Sequence, residues 1–463
     1  MFEIKNPNKF AAIDLDEKIK VKYKDLLKIS NCKIFKSNSI FLILSTNSIG
    51  CLASYFGAIQ NKNLIILNKE ITIYNEIVKI INDFKPQYVV APNYITSLHG
   101  KENLVLIKKI FNYFIYKNKN KSGKYNKKIK LLLSTSGTEG EFKWVKISEK
   151  NLKDNIYKIS KKIRINSNDT TITTLPFEYS YGLSIINTHL LNNAKIILTK
   201  QNFFNRNFWV NLKKTKVNNF GGVPFSYEIL NKLNFEKLIK DSSLKYLTQA
   251  GGKLDSDLHK EIYKKLNNLN IKFHTMYGAT EAGPRITINL DNGKRNNYET
   301  VGKPLENYRL IIKKNKKIIK ETMIIGNLYL NSKSLFGGYA KNQKQLNHFK
   351  KLKELNLGDI GYFDKEGNFY VTGRSKRVGK IKGVRLDLEL IEKILKKRFK
   401  KNFAVKSNDK KIFIFYEGKR QIKKQSINEL VRIHPSDIIL KRLNILPINS
   451  RGKIDHMRLD LNS

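Results

Sequence analysis

Cysteine is almost absent from this chain: there are two in 463 residues, Cys32 and Cys51, and neither sits in a CxxC or Cys/His spacing. That excludes a disulfide framework and a structural zinc site of the usual spacing, and it fits a reducing cytoplasm. Long apolar runs are missing too. The most apolar stretch, residues 40–59, is interrupted by Ser45, Thr46, Asn47, Ser48 and Ser54, so it reads as a buried strand, a turn and a helix, and no transmembrane segment is expected. The opening residues, MFEIKNPNKF, lack the basic lead and apolar run of a secretory leader. No GK[ST] triplet occurs, which excludes a Walker loop. Acidic residues are scarce, 39 against 88 lysines and arginines, for a formal net charge of +49. A solvated basic surface and an acidic partner both fit this excess. The lysines are spread along the whole length without an aromatic RNA-recognition signature, so nucleic acid is not the expected partner.

What is present is enough apolar material, 41% of the residues, to build two or more domains. The runs FLILS (41–45) and LIIL (64–67) have strand length, and Cys51, Leu52, Tyr55, Phe56 and Ile59 step between them at helical spacing, which predicts a βαβ unit. Residues 117–130, KNKNKSGKYNKKIK, hold seven lysines and read as a solvated loop too short to separate domains. After it, LLLS (131–134) and WVKIS (144–148) predict strands around a polar turn, followed by a helix with Ser148 as N-cap. Further strands are expected at 196–198 and 244–248. The first three quarters are therefore α/β, and from about Gly373 the shorter alternation of IEKILKKRF with KIFIFYE predicts a small α+β domain.

Two segments carry the first chemical signal. Thr135, Ser136, Gly137, Thr138, Glu139, Gly140, Glu141, Phe142 and Lys143 form a turn whose small residues let N–H and hydroxyl groups wrap a phosphate chain, with the lysine adding a point charge. Taken alone, the segment has a polar hairpin as its alternative reading. The second segment, Tyr277, Gly278, Ala279, Thr280 and Glu281, brings together an aromatic face for adenine, a hydroxyl for a phosphate and a carboxylate for Mg²⁺.

Together, TSGTEGEFK and YGATEA resemble the adenylate-forming superfamily of acyl-CoA synthetases, luciferases and peptide-synthetase adenylation domains. Three further segments follow in the family's order: LGDIG (357–361), GRSKRVGKIKGVRLDLELIE (373–392) and PINSRGKIDHMRL (447–459). The resemblance implies a large N-terminal domain of stacked α/β subdomains, residues 1–375, and a small mobile α+β lid, residues 376–463, with a hinge at Lys376. It further implies that Asp359 and Arg374 hold the ribose, that Tyr277 stacks on adenine, and that the backbone of Ala250 and Gly251 reads the base edge. Lys453 is implied as the adenylating lysine, with Lys380 and Gly383 replacing it at a pantetheine tunnel for the second step. The acid pocket is implied at 175–184, including Tyr179 and Gly182, with Val223, Gly251 and Met276. Departures from the family pattern are Glu139, Phe142, Asn327 and Arg377, none of which removes an essential group.

The reaction implied is ATP-dependent formation of an acyl-adenylate with Mg²⁺, then transfer to a thiol. The acceptor is coenzyme A or the phosphopantetheine arm of an acidic acyl carrier protein, and the acid is an acyl or aryl carboxylate. Glu178 falls where amino-acid-activating members carry an aspartate; buried it would favour an amino acid, and an exposed loop carboxylate is the expectation. A reading of another class, a basic binding protein on the same fold without catalysis, is disfavoured because Thr138, Glu281, Asp359 and Lys453 are all in place.

Overall fold

Two helices of this chain are apolar on nearly every face, and their covering organises the larger part of the fold. Ile49–Gln60 buries every residue but Gln60, and Ser180–Leu191 buries all but its two ends. Such helices have to be enclosed on all sides. A single apolar cluster joins them to Phe41, Ile43, Ile65 and Leu67 of one sheet and to Ala11, Ala12, Ile196 and Leu198 of another. Tyr55 donates to Asn187 Oδ1 at 3.0 Å between the two helices. The buried carboxylate of Asp14 accepts the Ile49 N–H at 2.8 Å where the first helix begins, which suits the positive end of a helix dipole.

The computed structural model describes residues 1–70, 73–120, 123–136, 142–293, 297–374, 378–381, 384–408, 410–418, 421–431, 433–449 and 453–459. The chain divides into two compact units, Met1–Leu310 with Leu330–Leu355, and Ile311–Tyr329 with Asn356–Ser463. The first holds an eight-stranded and a nine-stranded sheet. In the eight-stranded sheet, Ile40–Ser45 and Leu64–Lys69 pair in parallel around the helix Ile49–Gln60, which is the expected βαβ unit. The lysine-rich loop joins Tyr113–Asn118 to Ile129–Ser136 within that same sheet. The helix Glu149–Ile163 starts at Ser148, whose Oγ accepts the Asn151 N–H at 3.1 Å while Asn151 Oδ1 accepts the Ser148 N–H at 3.0 Å. This reciprocal pair satisfies two N–H groups at the helix start. In the nine-stranded sheet, Asn219–Gly222, Tyr246–Gln249 and Lys272–Tyr277 run parallel. Their C-terminal ends therefore lie along one edge, where α/β sheets bind ligands.

The second unit is α+β. It holds a five-stranded sheet ending in the antiparallel pair Leu355–Phe363 and Phe369–Arg374, a hairpin of Val378–Ile381 with Val384–Asp387, and a three-stranded sheet. The helices Leu388–Phe399 and Lys424–Val431 bury Leu395 and Ile427 against Val405, Ile414 and Ile438 of that last sheet. The expected boundary at 375/376 falls inside this unit, and residues 375–377 lie outside the described ones. Among the described residues no helix is long and apolar enough to cross a membrane.

Between Ser180–Leu191 and the nine-stranded sheet lies a polar layer that includes His189. Its Nδ1 donates to the Ile185 carbonyl at 2.8 Å, and Asn219 Nδ2 donates to Nε2 at 3.2 Å, so the neutral ring uses both nitrogens. Burial pushes its pKa down to about 4, and the Arg285 charge acts in the same direction, against the Ile185 hydrogen bond and Asp169. A histidine with a depressed pKa favours folding only while it is neutral. Its contribution is full above the unfolded value of 6.5 and is lost as pH falls from there toward 4, by up to about 3 kcal/mol. Urea denaturation of the wild type and His189→Gln at pH 7.5 and pH 5 should show the wild type losing more stability between the two. Equal losses would remove His189 as the cause.

Candidate functional site

In the first unit the glycine-rich segment is a strand hairpin, with Thr135 opposite Lys143 and Ser136 opposite Phe142. The two strands pair as the sequence predicts, and the Thr135 hydroxyl donates to the Lys143 carbonyl at 3.4 Å. Gly137, Thr138 and Glu139 lie in 137–141, outside the described residues. The Lys143 ammonium sits 6.0 Å from the centre of the Tyr339 ring. The Tyr339 hydroxyl in turn donates to Glu281 Oε1 at 2.8 Å. Burial, and then the Glu281 charge, raise the Tyr339 pKa, so the phenol keeps the proton it donates. Tyr339 is carried on Tyr339–Ala340, an edge strand paired with Phe142–Ser148, and the Phe336 N–H donates to the Glu281 carbonyl at 2.9 Å. Lys143 and Glu281, 138 residues apart in the sequence, are thus linked through one aromatic ring supplied from a third segment.

The turn after Lys272–Tyr277 is fixed by packing. A Cβ on Gly278 would overlap the Pro284 carbonyl, so only glycine fits. Asn155, on Glu149–Ile163, donates through Nδ2 to the Arg285 carbonyl at 2.9 Å and to Tyr308 Oη at 3.0 Å, tying the far side of the turn to that helix. Thr280 donates to Ser180 Oγ at 2.9 Å. Tyr277 is half-buried at the strand end.

The residues assigned to the acid pocket converge at the neighbouring strand ends. Gly251 follows Tyr246–Gln249 with a φ of +86°, and a Cβ there would overlap the Tyr179 hydroxyl and stand 3.1 Å from Val223 Cγ1. Ala250 donates its N–H to the Gly222 carbonyl at 3.2 Å. Tyr179, Val223, Ala250 and Met276 are all buried. Gly182 lets Ser180–Leu191 approach the Pro176 carbonyl, 2.5 Å from where a Cβ would be. The expectation for Glu178 is overturned. It is 9% exposed and its Oε2 accepts a hydrogen bond from Ser45 Oγ at 2.9 Å, because Ile40–Ser45 of the other sheet ends against it.

In the second unit, Asp359 and Arg374 stand directly opposite each other in the antiparallel register, with Arg374 Nε 3.3 Å from Asp359 Oδ1. The Arg374 N–H donates to Glu389 Oε2 at 3.1 Å. Lys380 is in the strand Val378–Ile381 opposite Arg385, its side chain outside the description, and Gly383 lies outside the described residues. Lys453 is exposed. Its carbonyl accepts the Asn449 N–H at 2.8 Å and its own N–H donates to Asn449 Oδ1 at 3.2 Å, beside the Ile448–Ile454 bridge. Tyr339, Asn155, Ser180 and Ser45 are partners that the motifs did not announce.

Known proteins resemble this chain in sequence and in fold. Bacitracin synthase 3 of Bacillus licheniformis is 26% identical over 352 residues, 71% of this chain and 5% of that protein. Oxalate–CoA ligase of Saccharomyces cerevisiae is 26% identical over 253 residues, 54% of this chain and 45% of that protein. 2-Succinylbenzoate–CoA ligase of Lactococcus lactis is 24% identical over 348 residues, 74% of this chain and 71% of that protein. The chain thus spans less than half the length of the first two. The structure of ATP-bound MatB from Rhodopseudomonas palustris superposes with a TM-score of 0.76 at 18% identity, covering 98% of this chain and 95% of that one. At that identity the likeness is one of fold. The sequence profile described as AMP-binding enzyme matches residues 31–340, two thirds of the chain, and this protein belongs to that family.

Proposed function

We propose that this chain activates a carboxylic acid with ATP and then passes the acyl group to a thiol, as an AMP-forming ligase. The observation that carries the reading is the Lys143, Tyr339, Glu281 chain, a cation and a carboxylate held on one ring beside the glycine-rich hairpin. In the first step a carboxylate oxygen bonds to the α-phosphorus and pyrophosphate leaves. Two anions must meet, so positive charge at the phosphates is required. Lys143 and the 135–143 hairpin would hold the leaving pyrophosphate, and Lys453 would supply charge at the reacting oxygens. Asp359 and Arg374 would grip the ribose, Tyr277 would stack on adenine, and Thr280 would donate to a phosphate.

Among the described residues no group of three or more His, Cys, Asp or Glu could hold a metal. Mg²⁺ bound beside phosphates keeps waters and phosphate oxygens as ligands and needs only one or two protein carboxylates. Glu281, oriented by Tyr339, would be that carboxylate, and the bound ion would neutralise phosphate charge.

In the second step the thiol sulfur bonds to the acyl carbon, the bond to the AMP oxygen breaks, and the thiol proton passes to water. Lys380 and Gly383 would replace Lys453 for this step by rotation of residues 376–463 about Lys376. Coenzyme A as acceptor is supported by the ligases among the relatives, and an acidic carrier protein by the basic excess of this chain. The buried Glu178 favours a second reading, in which the acid is an amino acid and this carboxylate meets its ammonium.

Pyrophosphate release with a panel of acids, with and without coenzyme A, tests the activity. Lys453→Ala should slow acyl-adenylate formation about 10²- to 10³-fold. Supplied with preformed acyl-adenylate, the same variant should make thioester near the wild-type rate. Lys380→Glu and Gly383→Trp should do the reverse, and equal damage to both steps by all three would overturn the two-conformation mechanism. Tyr339→Phe removes one hydrogen bond to a charged group, of order 2 kcal/mol. It should raise the Mg²⁺ concentration for half-maximal rate about tenfold, with most of the rate restored at saturating Mg²⁺; an unchanged Mg²⁺ dependence would separate Tyr339 from the metal. Pyrophosphate exchange with amino acids alone, abolished by Glu178→Ala, would establish the second reading.

A further inference from the structure

The polar layer beneath Ser180–Leu191 contains a charge without a counter-charge. Arg285, the residue after YGATEAGP, is 2% exposed, and its guanidinium carbon lies 5.2 Å from the centre of the Tyr181 ring. Its Nε–H has no hydrogen-bond partner, and among the described residues its side chain makes no ion pair. A guanidinium does not shed its proton at neutral pH, so burial cannot be relieved by neutralisation. A tyrosine face offsets only part of the lost hydration.

The groups around it do not supply the missing acceptor. Tyr181 Oη is engaged with the carbonyl and hydroxyl of Thr248 at 3.0 and 2.7 Å. His189 is neutral and uses both ring nitrogens. The carboxylate of Asp169 accepts from Asn218 Nδ2 at 3.0 Å and from the Asn166 N–H at 2.9 Å. Tyr246, whose titration is coupled to the Arg285 charge, has a buried hydroxyl that also lacks a partner. The layer is therefore short of acceptors, with a guanidinium and a phenol both waiting to donate. An oxyanion supplies that deficit, and a planar carboxylate matches the guanidinium fork.

Its position relates the layer to the acid. The Tyr181 ring packs edge to face with Tyr179 at 6.4 Å, and the Tyr179 hydroxyl lies against Gly251 and Val223. Through Tyr181 and then Tyr179, Arg285 is connected to the residues assigned to the acyl part of the substrate. We propose that the acid activated here is a dicarboxylic acid, whose second carboxylate is bound by Arg285 while the first reacts. The inference rests on the reading of this chain as an acid-activating ligase and specifies its substrate class. In this arrangement an aliphatic or aryl monoacid leaves the guanidinium buried and unpaired, and discrimination follows from that.

The experiment compares matched pairs of acids, such as succinate with butyrate, glutarate with valerate and phthalate with benzoate, in pyrophosphate release by the full chain. The wild type should favour the diacid of the best pair by about 10²-fold in kcat/KM. Arg285→Met should lose that diacid about 10²-fold while keeping or improving the monoacid, and Arg285→Lys should recover part of the diacid rate. Thermal unfolding supplies a readout independent of turnover: the diacid should raise the midpoint of the wild type and not of Arg285→Met. Monoacid preference in the wild type, or equal loss of both classes in both variants, would overturn the proposal and make Arg285 a packing residue. Diacid binding without pyrophosphate release would instead sink the ligase reading and leave the anion site standing.

Discussion

The constraint on which the first unit depends is the enclosure of two helices that have no polar face. Ile49–Gln60 and Ser180–Leu191 cannot lie on a surface, so a sheet has to cover each side. That requirement sets the eight-stranded and nine-stranded sheets around them and brings segments far apart in sequence into one unit. Ser45 reaches Glu178, Tyr55 reaches Asn187, and the start of one helix is capped by Asp14 from the opposite sheet. The parallel strands of the nine-stranded sheet then deliver Val223, Ala250, Gly251 and Gly278 to one edge, because they point the same way.

The site built on that edge uses few charges, each oriented by a neutral neighbour. Tyr339 is the clearest case, since its ring lies near Lys143 and its hydroxyl donates to Glu281. Burial, and then the Glu281 charge, raise the pKa of the phenol, so it keeps the proton that it donates to the carboxylate. Asn155 does similar work for the turn that carries Glu281, and Ser180 does so for Thr280. In the second unit the pairing of Asp359 with Arg374 follows from strand register, which sets the two side chains opposite each other. Preorganisation of this kind lowers the cost of assembling charge around a phosphate.

Arg285 has no hydrogen-bond partner at Nε in a layer where His189 uses both ring nitrogens and Asp169 accepts two hydrogen bonds. A lone arginine in a sequence reads as a surface charge, since arginines are seldom fully buried. Its chain position after a glycine–proline turn gave no sign of burial; the fold does, setting its guanidinium carbon 5.2 Å from the centre of the Tyr181 ring.

By itself the sequence determined the local elements and the family. Periodicity located the βαβ unit at 41–67, Ser148 marked a helix start, the glycine-rich segment was legible as a turn between two strands, and the ordered motifs pointed to the family of AMP-binding enzymes. These features are set by residues near one another in the chain, so short spacings reveal them. Only tertiary structure decided that Glu178 is buried on Ser45, that Tyr339 couples Lys143 to Glu281, and that Arg285 is buried against the Tyr181 ring. Each depends on contacts between segments from 58 to 196 residues apart, and on how apolar helices are covered, which no local pattern of residue types encodes.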